Sequence, residues 1–229
     1  MTAPSMGHLL SFFAASPAPA PSPIAGRVVG KYTAAAGSQT VDLDIVALND
    51  ELAISLLMTI DESFSFLRTA GAELARKLQA AAGPIEMVCS AATLGIAVGQ
   101  LVAISFGLDR QVVLQKTQKI HLQGDRSLSE ALSSITTGTP QKLLLDKRHL
   151  HLVAGKRVVF VDDVISSGGS CAAALRLLRA AGATVVGVGA ILVEGQGWRK
   201  QLGEADAALV SNLGTIPLFR PQADGHWAE

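Results

Sequence analysis

The chain has 229 residues, a length that suits one sizeable domain or one domain with a tail. Its 19 basic and 19 acidic side chains balance, so no net field attracts the protein to nucleic acid or to a membrane surface. Hydrophobic residues make up 49% of the chain and aromatic residues only 4%, which is typical of an α/β core with parallel strands between helices.

The lengths of the apolar stretches and the number of cysteines exclude further classes of protein. The most apolar stretches, residues 96–108 and 185–193, are shorter than the roughly 18 residues that a membrane-spanning helix needs. Cys89 and Cys171 are too few for a disulfide framework, so a reducing, cytoplasmic compartment is expected. We therefore expect neither a membrane nor a nucleic acid as a partner.

The first 25 residues differ in composition from the rest. Residues 14–23 consist only of Ala, Pro and Ser, which predicts a flexible leader over residues 1–25 and one domain over residues 26–229. The apolar run at residues 9–15 lacks a basic lead-in and is short for a signal peptide, so secretion is not favoured.

After the leader, hydrophobic periodicity predicts alternating strands and helices. Residues 41–46 alternate as a half-exposed strand, and residues 63–83 carry apolar side chains at helical spacing until Gly83 and Pro84 stop the helix. The pattern then predicts a short buried strand at 85–89, a small-residue turn at 90–95, an apolar helix at 95–106, strands at 111–115, 143–145 and 158–161, a helix at 171–181, a long buried strand at 184–193 and a short strand or cap at 216–219. This alternation predicts a doubly wound, mostly parallel sheet.

Residues 157–170 carry the strongest chemical signal. A buried strand at 158–161 is followed by Asp162 and Asp163, which are predicted to end it, then by a Ser/Gly loop and a helix. Free backbone N–H groups and the dipole at a helix start favour a phosphate. Two carboxylates beside it require a ligand with hydroxyls or a cation, and a ribose 5-phosphate meets both demands. No Gly-Lys-Ser/Thr follows the glycines and G-x-G-x-x-G spacing is absent, so a Walker-type loop and a dinucleotide fingerprint are excluded.

Several features have both an ordinary and a functional interpretation. One of the paired aspartates could cap a turn while the other is solvated. The turn at residues 90–95 is either a structural connection or a second anion site. Lys116 and Lys119 follow a strand either as solvated charges or as partners of a pyrophosphate. Residues 124–140 lack a clear period and are typical of a lid, a binding loop or a disordered segment.

Two reactive residue types do not support a site of their own. His149 and His151 have no carboxylate or third ligand at a useful spacing, so a metal is not favoured there. Cys171 lies near a helix start but has no evident histidine partner, so it is not favoured as a nucleophile.

The stretch at residues 158–170 resembles the phosphoribosyl-pyrophosphate (PRPP) signature of type I phosphoribosyltransferases: four hydrophobic residues, two acids, two variable residues and a small-residue run. The similarity extends over residues 40–220 and is closest to adenine- and xanthine-type purine members. It implies a parallel α/β sheet with a small hood, and an enzyme that transfers 5-phosphoribosyl from PRPP to a purine base with release of pyrophosphate. It also implies Mg²⁺ carried by PRPP without direct protein ligands, a role in purine salvage, and a homodimer.

The resemblance also implies roles for individual residues. Asp162 and Asp163 would be the catalytic acids, which meet the ribose hydroxyls and help to stabilise positive charge on the sugar. The residues implied to bind PRPP fall into a 5′-phosphate group and a pyrophosphate group: Ser166, Ser167, Gly168, Gly169 and Ser170, and then Thr93, Leu94, Gly95, Lys116 and Lys119. The loop at residues 124–140 would close as a lid, and Glu194 and Trp198 would bind the base.

The chain departs from the family pattern at four places. Adenine-type members usually carry Arg-Lys where this chain has Gln115 and Lys116, and a Glu in the mobile loop where it has Thr136 or Thr137. Xanthine-type members carry a Lys after the strand-end Glu, where this chain has Gly195. An acidic residue is frequent in the pyrophosphate turn, where this chain has Ala91 or Ala92. PRPP binding is therefore better supported than a base preference or fast turnover.

The leading hypothesis is a cytoplasmic purine phosphoribosyltransferase, with adenine favoured narrowly over xanthine and hypoxanthine/guanine. The alternative is a PRPP-binding regulatory protein that resembles purine-operon repressors and lacks catalysis. Such regulators carry a DNA-binding winged helix ahead of this domain. The Pro/Ala-rich N-terminal segment, with one Arg and one Lys by residue 31, argues against that alternative.

Overall fold

The structure is a computed structural model, and it describes residues 22–122, 124–132 and 141–229. Most of the predicted leader (residues 1–21) and part of the predicted lid (residues 133–140) lie outside the described residues. Where the description begins, the Ser22 hydroxyl donates to Asp50 at 2.7 Å.

The described residues form five α-helices and twelve strands. In chain order the helices are α1 (Phe64–Ala82), α2 (Gly95–Ser105), α3 (Leu150–Val153), α4 (Gly169–Ala180) and α5 (Gly197–Ala207). The strands are β1 (Val28–Ala36), β2 (Gln39–Ala47), β3 (Ala53–Leu56), β4 (Met87–Ala91), β5 (Val112–Leu114), β6 (Ser127–Leu132), β7 (Gln141–Asp146), β8 (Arg157–Ile165), β9 (Thr184–Glu194), β10 (Val210–Ile216), β11 (Arg220–Pro221) and β12 (Trp227–Ala228). Among these residues, no helix combines the length and apolar character that crossing a membrane requires.

A five-stranded sheet in the order β10-β9-β8-β4-β5 forms the centre of the fold, and every neighbouring pair is parallel. Helices α1 and α2 pack on one face, and α4 with the β6–β7 hairpin packs on the other. Successive side chains of β8 lie on opposite faces of the sheet, with Val159 in one core and Phe160 in the other. Because both faces are buried, the strand is a continuous apolar run. The predicted doubly wound, mostly parallel sheet is confirmed.

Local signals place the first long helix correctly. α1 begins after Ser63, whose hydroxyl accepts a hydrogen bond from the Phe66 N–H at 3.2 Å. It ends at Gly83, and its apolar side chains face the sheet. A capping hydroxyl satisfies one of the free N–H groups of the first turn, so both ends of this helix are encoded in adjacent residues.

β8 is longer than the sequence predicts and includes both acids. The pattern places the end of the strand at Asp162, but the strand continues and pairs Ile165 with Val193 of β9. The prediction that the acids end the strand is therefore wrong. Apolar residues resume after the acids, and pairing with the long strand β9 holds the backbone extended.

The segment predicted as a loop at residues 124–140 is partly a strand. β6 pairs antiparallel with β7, and this correction covers residues 127–132 of the predicted lid. The β6 sequence has little strand propensity of its own, but Leu128 packs against the core and Glu130 pairs with Arg176 of α4 at 3.1 Å. Tertiary pairing thus outweighs local preference.

A three-stranded antiparallel sheet, β1-β2-β3, is here called the N-terminal sheet. Its strand β1 packs against β10, the edge strand of the central sheet. The predicted half-exposed strand is confirmed as β2, in which buried and exposed residues alternate. β1 and β3 were not predicted. The Gly37 N–H donates to the Leu213 carbonyl of β10 at 2.9 Å, and Ala53 of β3 pairs with Phe219. These contacts fix the N-terminal sheet beside the carboxyl end of the central strands.

Candidate active site

A cleft of about 230 Å³ opens at the carboxyl ends of β4, β5 and β8. Because parallel strands present these ends at one edge of the sheet, segments far apart in sequence meet there. The predicted residues that line the cleft are Thr93, Leu94, Lys116, Asp162, Asp163, Ser166, Gly168 and Ser170. Val164, Ile165 and Cys171, which were not predicted to bind a ligand, line it as well. The acid pair, the Ser/Gly loop and the turn after β4 therefore share one cavity.

The two acids differ in burial and influence one another. Asp162 is 6% exposed and Asp163 is half-buried, and the Asp163 N–H donates to Asp162 Oδ1 at 3.1 Å. Burial raises the pKa of the Asp162 carboxyl well above its ordinary value, and the charge of Asp163 raises it further. Burial also raises the pKa of Asp163, while the Lys116 ammonium lowers the pKa of both acids. A ligand that presents hydroxyls or a cation would stabilise their ionised form.

The turn after β4 packs directly on the acid pair. Gly95 lies so close to Asp162 that a Cβ at residue 95 would overlap the carboxylate, so only a glycine allows this approach. The peptide bond between Ala92 and Thr93 is cis. The Leu94 carbonyl accepts a hydrogen bond from the Thr59 hydroxyl at 2.6 Å, which ties the turn to the segment after β3.

The Ser/Gly loop, defined here as residues 166–168, connects β8 to α4. Gly168 has a φ of +82°, and a Cβ there would lie 3.0 Å from the Cα of Trp198. The Ser167 hydroxyl accepts a hydrogen bond from the Gly169 N–H at 3.4 Å. Within the described residues, α4 has no side-chain cap at residue 168 and no acid in its first turn. Its first N–H groups are therefore favourably placed for an anion.

The residues predicted near the base do not line the cleft. Trp198 is 1% exposed and lies in the core, where its Nε1 has no hydrogen-bond partner among the described residues. The Arg199 guanidinium lies 4.3 Å from the centre of its ring. Trp198 therefore supports the Ser/Gly loop from within the protein. Lys119 is exposed and does not line the cleft either.

Glu194 is buried at the end of β9 and contacts the Ser/Gly loop rather than the cleft. Its Oε2 accepts a hydrogen bond from the Ser166 hydroxyl at 2.5 Å, and its Oε1 accepts one from the Ser55 N–H at 3.2 Å. Sequence reasoning missed Ser55 and Thr59. Each is a polar residue in a mostly apolar stretch, and Ser55 meets a partner that is 139 residues away, so no local signal could have found it.

The histidines and cysteines of the described residues add no metal centre and no nucleophile to the cleft. Among the described residues, no group of three or more His, Cys, Asp or Glu side chains could hold a metal ion. Cys171 lines the cleft, but burial raises the pKa of its thiol far above the ordinary value, as it does for Cys89. Both thiols therefore stay protonated at neutral pH and are poor nucleophiles.

The departures from the family pattern also have defined places. Gln115 exchanges two backbone hydrogen bonds with Leu144 at 2.9 Å, next to the lysine that lines the cleft. Ala91 is buried at the end of β4, and Gly195 follows the last residue of β9. Thr136 and Thr137 lie outside the described residues.

Comparisons with known proteins decide the family. Residues 63–208, more than half of the chain, match the family described as phosphoribosyl transferase domain. The chain belongs to the phosphoribosyltransferase family. The xanthine phosphoribosyltransferase of Laribacter hongkongensis is 30% identical over 173 residues, which are 75% of this chain and 83% of that protein. The adenine phosphoribosyltransferase of Corynebacterium diphtheriae is 43% identical over 61 residues, which are 26% of this chain and 33% of that protein.

This phosphoribosyltransferase also shares its fold with solved structures. The adenine phosphoribosyltransferase of Rhodothermus marinus matches with a TM-score of 0.58 and 21% identity, over 72% of this chain and 87% of that chain. At that identity the similarity concerns the fold alone. Together with the family match, it confirms the predicted family, a type I phosphoribosyltransferase fold and a transferase enzyme. Neither comparison supports the alternative of a regulatory protein without catalysis.

Proposed function

We propose that this protein transfers the 5-phosphoribosyl group of PRPP to a ring nitrogen of adenine and releases pyrophosphate, as an enzyme of purine salvage. The observation that carries the proposal is the single cleft where the acid pair, the Ser/Gly loop and Lys116 converge. The loop and the start of α4 offer N–H groups to the 5′-phosphate, and the carboxylates accept hydrogen bonds from ribose hydroxyls. Relatives named xanthine and adenine phosphoribosyltransferase support a purine as acceptor.

The acid pair suits the charge that develops in this reaction. The bond between C1′ and the pyrophosphate oxygen breaks, and its electron pair leaves with pyrophosphate. The base nitrogen then supplies the electron pair of the new bond and releases its proton to solvent. C1′ carries positive charge between these events, and Asp162 and Asp163 stabilise it from the wall of a partly buried cleft, where electrostatic attraction is stronger than in water.

The oxygens that PRPP and the acid pair bring to the cleft suit Mg²⁺, which prefers carboxylate, hydroxyl and phosphate oxygens. Burial and the charge of Asp163 raise the pKa of the Asp162 carboxyl, so a nearby cation would favour its ionised form. We propose that oxygens of PRPP hold the ion, and that Asp162 and Asp163 act on it through the ribose hydroxyls. When bound, Mg²⁺ neutralises charge on the leaving pyrophosphate.

Replacing Lys116 tests the pyrophosphate side of the cleft. Lys116 lines the cleft and acts on both acids, whereas Lys119 is exposed away from it. We expect Lys116→Met to raise the KM for PRPP about tenfold to a hundredfold, because a hydrogen bond to a charged group contributes about 1.5–3 kcal/mol. Lys119→Met is the matched variant and should change the KM less than about threefold, as for a solvated charge. Initial rates over a PRPP series measure both, and equal effects would contradict the assignment of the pyrophosphate to Lys116.

The base preference depends on the residue after β9. Xanthine carries two oxo groups, whereas adenine carries one amino group and no oxo group, and xanthine is the more acidic base, so a cation beside it is favourable. Xanthine-type members have a lysine where this chain has Gly195, and the missing cation favours adenine. Xanthine is the second candidate, because the relative that matches 75% of this chain is named xanthine phosphoribosyltransferase.

One assay tests the proposal. The protein is incubated with PRPP, Mg²⁺ and each of adenine, xanthine, hypoxanthine and guanine, and pyrophosphate release is followed. We expect the highest kcat/KM with adenine. A higher value with xanthine would transfer the assignment to that base, and tight PRPP binding without turnover of any base would refute the proposed reaction.

We also propose a homodimer in the cytoplasm. Free, buried cysteines suit a reducing compartment, and the exposed side chains of Phe64 and Ile104 on α1 and α2 offer apolar surface to a second copy. Sedimentation velocity should show a species of twice the 23.7 kDa chain mass. A monomer at micromolar concentration would contradict the dimer.

A further inference from the structure

The Glu194 carboxyl joins the Ser/Gly loop to the N-terminal sheet. Glu194 is 3% exposed, and each of its oxygens has one donor: the Ser166 hydroxyl on Oε2 and the Ser55 N–H on Oε1. Ser166 lines the cleft, so the same hydroxyl faces both the carboxyl and any ligand of the loop. Glu194 itself does not line this cleft, so it acts on a ligand of the loop through Ser166.

The protonation state of Glu194 decides what Ser166 can offer to a phosphate. A serine hydroxyl has one proton and two lone pairs. When Glu194 is ionised, Ser166 donates its proton to the carboxylate and presents only lone pairs to a phosphate oxygen, which also needs a donor. When Glu194 is protonated, its own O–H donates to Ser166, and the serine proton is free to bind the phosphate.

We propose that Glu194 is a positioning residue that orients the Ser166 hydroxyl, so that PRPP binds more tightly when the Glu194 carboxyl carries a proton. This inference rests on the proposed function, because it assigns the 5′-phosphate of PRPP to the Ser/Gly loop. It gives Glu194 a role apart from the predicted base binding, which stays a prediction.

The surroundings of Glu194 favour such a proton. Burial raises the pKa of its carboxyl, while the hydrogen bonds from Ser166 and Ser55 lower it, and no charged side chain of the described residues contributes. On neighbouring elements, β3 and β10 carry no titratable residue, and β8 carries the acid pair. The first turn of α5 carries Arg199, which lies over the Trp198 ring, and an exposed lysine. Protonation of Glu194 is therefore set chiefly by burial.

The second contact of Glu194 explains how the orientation is held. The Ser55 N–H belongs to β3, so the carboxyl is anchored by a backbone that paired strands keep in place. The Ser55 hydroxyl is buried and has no hydrogen-bond partner among the described residues, so this residue binds Glu194 through its backbone N–H. The segment after β3 also holds the turn at Leu94 through Thr59. β3 is thus linked to the loop through Glu194, and the segment after β3 contacts the turn at Leu94.

Two variants and one control separate orientation from general support. Glu194→Gln keeps the shape: its carbonyl accepts from Ser55, and its amide donates to Ser166 as a protonated glutamate would. Glu194→Ala removes both contacts. Ser55→Ala is the control, because it deletes an unpartnered hydroxyl and leaves the N–H donor in place.

The Kd for PRPP with Mg²⁺ is measured by calorimetry on the full chain from about pH 5 to about pH 9, the range in which a buried glutamate can titrate. We expect the ratio of the native Kd to the Kd of Glu194→Gln to rise with pH. At high pH it should reach about tenfold or more, which corresponds to one hydrogen bond to a charged group. Titration of PRPP and of the acid pair is common to both proteins and cancels in this ratio. Ser55→Ala should follow the native curve, because the backbone N–H of residue 55 still donates to Glu194.

The outcomes are distinct. A Kd ratio that stays constant with pH overturns the role of Glu194 and leaves the proposed function standing. A native protein that neither binds PRPP nor turns over any base overturns the proposed function, and the inference with it. Glu194→Ala has no carboxyl to titrate, so the ratio of its Kd to that of Glu194→Gln should stay constant with pH, and its thermal unfolding shows whether it folds. If Glu194→Ala does not fold, the comparison of the native protein with Glu194→Gln still tests the role of Glu194.

Discussion

Asp163→Asn is expected to lower kcat for phosphoribosyl transfer by about a hundredfold or more, the effect of removing a group that stabilises charge in a transition state. Asp163 lines the cleft, and asparagine keeps its size and one acceptor oxygen but carries no charge. Ribose hydroxyls can still be bound, so the KM for PRPP should change far less than kcat. Initial rates at saturating base, over a PRPP series, separate the two constants.

The same substitution should leave the protein folded, for an electrostatic reason. Burial and the charge of Asp163 raise the pKa of Asp162, so the ionised pair opposes folding at neutral pH. A carboxyl with a raised pKa contributes its full stability below the ordinary aspartate pKa and loses it as the pH rises through the folded value. Asp163→Asn removes the repulsion, so the Tm at neutral pH should stay equal or rise.

Asp44→Asn is the matched control for Asp163→Asn. Asp44 forms an exposed ion pair with Lys31 on the N-terminal sheet at 3.5 Å, and such pairs contribute only about 0–1 kcal/mol. Its kcat, KM and Tm should match those of the unchanged protein. Undiminished kcat in Asp163→Asn would refute the catalytic role, and a large fall in its Tm would show that the loss of activity reflects unfolding.

Gly168→Ala is expected to lower the free energy of unfolding by about 2–4 kcal/mol and to raise the Kd for PRPP by about tenfold or more. Gly168 has a φ of +82°, which side chains rarely adopt, and its added Cβ would lie 3.0 Å from the Cα and 3.1 Å from the carbonyl oxygen of Trp198. These are backbone atoms of α5, which cannot rotate away. The strain must therefore shift the Ser/Gly loop, the segment proposed to hold the 5′-phosphate.

Gly197→Ala controls for the loss of a glycine in the same region. An added Cβ at residue 197 meets no heavy atom within 4 Å, so the free energy of unfolding should change by less than about 1 kcal/mol. Urea unfolding and calorimetry with PRPP measure both variants. If Gly168→Ala keeps the urea midpoint and the Kd of the unchanged protein, the loop is not held against α5 as described.

Elements whose contacts are close in sequence were predictable. α1 carries its cap at Ser63 and its stop at Gly83, so adjacent residues specify both ends. The acid pair, the loop and the start of α4 follow one another within residues 162–170, so a local pattern indicated a ribose phosphate ligand. That pattern also carried the resemblance to phosphoribosyltransferases, which the match over residues 63–208 confirms.

Contacts between distant segments decided what local patterns could not. β6 is a strand because β7 and α4 are beside it, and β8 continues past its acids because β9 pairs with it. The family resemblance implied that Trp198 binds the base, whereas the structure shows its side chain buried beneath Gly168 because α5 packs there.

The sequence by itself therefore determined which residue types the site contains: two acids and a Ser/Gly loop proposed to bind phosphate, in one short segment. The tertiary structure decided which residues support that segment. Glu194 reaches Ser166, 28 residues away along the chain, because β8 pairs with β9. It reaches Ser55, 139 residues away, because the N-terminal sheet packs against the central sheet. Local periodicity reports which face of an element is apolar. The register in which two such faces meet depends on their packing free energy, which is a property of the whole fold.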